Sequence, residues 1–148
     1  MLRIIGIWIV FQGLVSAQVG INTANPLSTL DINGNLSVKT IGIPVALTGG
    51  GAGSATAIDD GVYISLTPVS GATEFYLPDP VSVPGRIYIL RNISDTVSAT
   101  LYTAGGRRFF PKNSSFGSAP FGPIYLPVNS TGKTMILISD GANWTYFD

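Results

Sequence analysis

GVYISLTPVSGATEFYLPDPVSVPGRIYILRN, residues 61–92, is the stretch whose reading decides the fold. It holds three apolar runs, 61–68, 73–78 and 85–92, each rich in β-branched and aromatic residues and each bounded by Gly, Pro, Ser or Asp. Strand formers set between turn formers read as short strands. The first two runs flank a Val-Ser-Gly-Ala turn, and the third is nearly continuous and entered from the Pro-rich PDPVSVPG. Further runs follow: VSATLYT (97–103), GPIYLPV (122–128), KTMILIS (133–139) and NWTYFD (143–148), the last two joined by the turn pair Asp140-Gly141. No segment shows an apolar period of 3.6 residues over helix length. Seven short strands at close spacing predict an all-β fold, with a small β-sandwich or partly closed barrel over residues 58–148.

Composition agrees. Of 148 residues 11% are charged, against roughly 25% in typical soluble domains, while 18 glycines and 10 prolines supply turns. The 45% hydrophobic content is too high for a disordered chain. There is no histidine and no cysteine, which closes Ser-His-Asp and Cys-His catalysis and His-based zinc sites, and leaves packing, backbone pairing or association to hold the fold.

Residues 1–17, MLRIIGIWIVFQGLVSA, read as a secretory signal peptide. Arg3 gives the basic start, Ile4 to Val15 the apolar run and Val15-Ser16-Ala17 the cleavage site. The run is too short to span a bilayer, so no membrane span is expected after cleavage and the protein is expected outside the cell or at its surface. Without Arg3 the chain has 7 basic and 8 acidic residues. That balance offers no concentrated basic surface for nucleic acid.

Between signal and module lie an N-terminal segment, 18–48, and GGGAGSATA, 49–57, expected as a flexible linker. In QVGINTANPLSTLDINGNLSVK, residues 18–39, apolar residues alternate through Leu30, Ile32, Leu36 and Val38. A two-residue hairpin at Asn33-Gly34 would split these four between two faces. A three-residue loop, Asn33-Gly34-Asn35, gathers them on one face, as would a single unbroken strand. The hairpin with the three-residue loop is the favoured reading. A ribbon so thin is marginal alone and needs something to lie against.

The same residues resemble the GIGTxxPxxxLDVxGxxxx segment of bacteriophage tail-fibre and related secreted bacterial fibre proteins. Gly20, Ile21, Asn22, Thr23, Pro26, Leu30, Asp31, Ile32 and Gly34 stand at the matching places, with Asn22 where a second glycine is usual. LPDPVSVPGRIYILRN and ILISDGANWTYF are similar to the GRIYVIKN and SDGxNW strands of a small β module in such proteins. The resemblance implies an extracellular β fibre or knob that assembles as a homotrimer, with Leu30, Ile32, Leu36 and Val38 packed against their counterparts. The family often adds a self-cleaving chaperone domain with a Ser-Lys pair. The chain ends at Asp148 with no room for one, so autoproteolysis is not expected.

Chemical motifs are few. NSTGKT (129–134) ends like a phosphate-binding loop, but Pro127 stands where the leading glycine belongs and a strand-like TMILIS follows, so a hairpin turn is expected. Asp59, Asp60, Glu74, Asp79 and Asp140 are the acidic residues from which a glycosidase pair would have to come. Turn contexts make structural roles the better reading, and neither enzyme activity nor a cofactor is expected. Five Asn-x-Ser/Thr triplets, at Asn35, Asn92, Asn113, Asn129 and Asn143, and Asp95-Thr96-Val97 are possible glycan acceptors or simply turns. Finally, GGRRFFPKNSSFGSAPFGP (105–123) sets Arg107, Arg108 and Lys112 among Phe109, Phe110, Phe116 and Phe121. Cations beside aromatics suit a surface glycan or protein partner. The alternative puts the phenylalanines in the core or an interface, since exposing four invites aggregation.

Overall fold

The buried side chains of successive strands point alternately into one shared core from two sides, and that pattern defines the architecture. The structure, a computed structural model, describes residues 18–42 and 46–148; residues 1–17, expected as a signal peptide, lie outside the described residues. The chain divides into a unit ending at Ser37 and a unit running Val38–Asp148.

The first unit contains β1 (Val19–Ile21) and β2 (Leu30–Ile32). They pair in parallel, with Val19 beside Leu30 and Ile21 beside Ile32. The second unit is all-β. Its strands are β3 (Thr40–Ile41), β4 (Leu47–Thr48), β5 (Thr56–Ala57), β6 (Tyr63–Thr67), β7 (Glu74–Leu77), β8 (Ile87–Asn92), β9 (Ala99–Thr103), β10 (Phe109–Pro111), β11 (Ile124–Leu126), β12 (Thr134–Ser139) and β13 (Trp144–Phe147). One sheet runs β10-β13-β12-β8-β6-β3, with β4 also on β6, and the other runs β11-β9-β7-β5.

From β5 to β9 each strand enters the sheet opposite its predecessor, and β6, β7, β8 and β9 each pair in parallel with the strand two places earlier. Parallel neighbours cannot be joined by a tight turn. Here a strand of the facing sheet makes each crossover, so the chain winds as a flattened coil. The remaining pairs are antiparallel for β11 on β9, β12 on β8 and β13 on β12, and parallel for β10 on β13.

The core between the sheets takes Ile64, Leu66, Tyr88, Leu90, Leu137 and Trp144 from the larger one and Phe75, Leu77, Leu101 and Leu126 from the smaller. Polar side chains stitch its rim. The Trp144 indole donates to the Thr103 hydroxyl at 3.0 Å, and Ser139 donates to the Pro80 carbonyl at 2.8 Å. Asn92, one of the glycan-acceptor triplets, is fully buried and donates to the carbonyls of Val97 and Leu126. Asp140 makes the turn expected of it, accepting from the backbone of Ala142 and Asn143.

All seven predicted strands of the module are present, and the Val69–Ala72 turn closes between β6 and β7, which belong to different sheets. Two local expectations change. NSTGKT is not a hairpin turn, because it carries the chain from β11 to β12, across sheets. Residues 49–57 are not a loose linker. Gly50 and Glu74 exchange backbone hydrogen bonds, and β5 pairs with β7. The glycine permits this fold-back: a Cβ on Gly50 would fall 1.9 Å from the Ser54 carbonyl oxygen.

Candidate assembly and binding sites

The N-terminal unit corrects the predicted hairpin while keeping its one-faced character. The partner of β2 is β1, and residues 33–37 form no strand. Polar bonds explain the choice. Asn22, at φ 57°, donates to the Asn33 carbonyl at 3.0 Å, and the Asp31 carboxylate accepts from the Leu27 backbone at 2.9 Å. Gly20 lets the connection fold against the strand, since a Cβ there would meet the Thr23 oxygen at 2.6 Å and the Pro26 ring at 2.8 Å. The residues that carry the fibre-like motif thus build a parallel β-arch. Val19 and Ile21 replace Leu36 and Val38 as the companions of Leu30 and Ile32.

No residue of 18–37 is buried. Val19, Ile21 and Leu30 each expose about half their surface, and Leu27 and Leu36 far more. Val38 falls in the second unit and is 39% exposed.

The 105–123 segment is tied down more than a free binding loop would be. Phe109 is fully buried and therefore leaves the predicted ligand surface. It lies in β10, which pairs with β13 and turns Phe109 inward. Phe110 is half-buried against Gly117, whereas Phe116 and Phe121 are exposed. The cations are engaged: Arg107 with Asp79 at 3.2 Å, Arg108 with the Ser118 carbonyl, and Lys112 with Asp148.

A cleft unforeseen in the sequence lies on the outer face of the smaller sheet. Because Phe75, Leu77, Leu101 and Leu126 point inward, Glu74, Tyr76, Tyr102 and Tyr125 point outward. Register places Tyr76 beside Tyr102, and Thr100 between Glu74 and Tyr125. The 51–55 turn forms a wall, leaving a hollow of about 500 Å³ lined by Gly53, Ser54, Ala55, Glu74, Tyr76 and Tyr102. Glu74 accepts from the Gly53 N–H at 3.3 Å and from the Tyr102 hydroxyl at 3.4 Å. Burial raises the Tyr102 pKa and the Glu74 carboxylate raises it further, so this phenol stays protonated and donates. The available signal was the period of two in TEFYLP and ATLYT, with aromatics on the phase opposite the core residues.

Compared with protein-family models, curated proteins and solved structures, the chain matches none. Among the described residues no cluster of three metal-ligating side chains occurs, and no helix is long and apolar enough to cross a membrane.

Proposed function

We propose that this is a secreted, non-enzymatic structural protein that assembles through its N-terminal β-arch, as a fibre-like element outside the cell. One observation carries the reading: residues 18–37 are bonded into a defined shape yet bury no side chain. An arch that presents Val19, Ile21 and Leu30 on one face gains its stability only when that face is covered. Equivalent arches of other copies supply an apolar face of the same kind, and the fibre-like motif favours three copies. The absence of chemistry in the arch fits a role in association. In the outer cleft one carboxylate, Glu74, lines the wall, whereas glycoside hydrolysis by the common route takes two.

Size-exclusion chromatography with light scattering on the chain from Gln18 tests the proposal. The expected mass is three times that of one chain. Ile21→Lys combined with Leu30→Lys is expected to give a monomer whose module melts at the unchanged temperature. A monodisperse monomer of the unaltered chain at micromolar concentration overturns the reading.

A further inference from the structure

We infer that the outer cleft of the smaller sheet is a binding site for a neutral saccharide. The site is built from two sources that the fold brings together. Tyr76 and Tyr102 project from neighbouring strands, and the 51–55 turn is clamped beside them by the reciprocal Gly50–Glu74 backbone bonds. Tyr76 is 40% exposed although its strand neighbours Phe75 and Leu77 are fully buried, so the ring borders the hollow with an accessible surface.

The chemistry of the lining selects the ligand. A phenol ring offers a flat apolar surface to the C–H face of a pyranose, while Ser54, Glu74 and the Tyr102 hydroxyl place polar groups around it. Glu74 accepts, and the Tyr102 hydroxyl beside it both donates and accepts. Vicinal sugar hydroxyls meet such a side-by-side pair, because each hydroxyl serves either role. No lysine or arginine lines the cleft, so an acidic sugar would bring its carboxylate to Glu74 without a compensating cation. Neutral sugars follow. The volume, about 500 Å³, suits a ligand of a few sugar rings.

This inference is independent of self-association and concerns a different unit of the chain. Its test is amide-resolved NMR titration of the chain from Gln18. The probes are neutral tetrasaccharides of glucose, mannose, galactose and N-acetylglucosamine, with tetragalacturonate and decaproline as contrasts. At least one neutral probe is expected to shift the amides of residues 53–55, 74–76 and 102 saturably. Tyr76→Ala should weaken that binding about tenfold through loss of the stacking ring, and Tyr102→Phe about threefold through loss of one hydroxyl. Both variants should keep the parent's melting temperature and its mass by light scattering. Silence of every neutral probe at millimolar concentration overturns the inference. So does stronger binding of tetragalacturonate, or occupation of the cleft by decaproline alone.

Discussion

The two units use the same residue types at the same alternating spacing and reach opposite outcomes. In the sandwich Leu66, Leu77, Leu90 and Leu101 lose all their accessible surface, whereas Leu30 in the arch keeps 55% of its own. Strand propensity does not separate them. The number of layers does: each sheet of the sandwich faces another, while β1 and β2 are three residues long and face nothing within their unit. The shape of the arch therefore rests on polar bonds at Asn22 and Asp31 and on close approach at Gly20. That of the sandwich rests on burial. A segment shaped by polar bonds but left apolar on one face is the basis of the assembly proposed above.

The largest effect that tests this contrast is expected at Trp144. Its ring is fully buried, packs on Tyr88 at 5.7 Å between centroids, and donates to Thr103. Trp144→Ala should cost the sandwich about 3–5 kcal/mol by denaturant unfolding followed with circular dichroism. Leu30→Ala should leave the unfolding midpoint of dilute protein in place while lowering the mass of the assembly. A midpoint shift at Leu30 as large as that at Trp144 would break the comparison.

Two glycines sharpen it. Gly50→Ala drives a Cβ into the Ser54 carbonyl, so the 51–54 turn must move; the expected loss is about 1–3 kcal/mol in the sandwich, read by Trp144 fluorescence. Gly20→Ala forces the same kind of clash on Thr23 and Pro26 in the arch. There the expected outcome is loss of self-association with an unchanged fluorescence midpoint. Equal midpoint losses from both would mean that the arch contributes to the stability of the sandwich.

Much of the fold was legible because burial in a two-sided sheet writes itself into the sequence as apolar runs and alternation. The runs that became β6 to β9 and β11 to β13 needed only local reading. Pairing was less legible, since it depends on partners distant in sequence. Leu30 and Ile32 announced a one-faced ribbon, but nothing local distinguished Leu36 and Val38 from Val19 and Ile21 as their companions. The decisive contacts, Asn22 to the Asn33 carbonyl and Asp31 to the Leu27 N–H, span four to eleven residues of irregular chain. The 49–57 stretch misled for a related reason: small residues suit a flexible joint and a close fold-back equally. The tyrosine cleft was half-visible, since the outward phase of β7 and β9 could be read, whereas the wall from 51–55 could not.

A smaller effect is expected at Tyr88. Its ring is buried in the core, but among the described residues its hydroxyl has no hydrogen-bond partner, and burial raises its pKa. An unpartnered buried hydroxyl carries a desolvation cost that phenylalanine avoids. Tyr88→Phe should therefore raise stability by about 1 kcal/mol in denaturant unfolding. The contrast within the arch is Asn22, whose side chain does have a partner: Asn22→Ala should loosen the arch and reduce assembly while the sandwich midpoint stays put. A loss of stability in Tyr88→Phe would show that the core relies on a bond from that hydroxyl after all.

The smallest effect is a dependence on pH, and it should be confined to the second unit. Lys133 lies 2.5 Å from the Asp95 carboxylate and holds its pKa below the usual value; hydrogen bonds from Lys39 and then from the Gly61 N–H do the same for Asp60. A carboxylate depressed in the folded state adds stability that is complete above its unfolded pKa and is lost as pH falls through the folded value. The melting temperature of the sandwich should thus be level near neutrality and begin to fall below about pH 4. Both carboxylates are well exposed, so the contribution is small and screened by salt. Asp95→Asn should fall less steeply than the parent between neutral and acid pH at low ionic strength, and 1 M salt should narrow the difference between them, since added salt weakens an exposed ion pair. An Asp95→Asn profile that parallels the parent at low salt would remove this pair from the account of acid sensitivity and leave Asp60 to carry it.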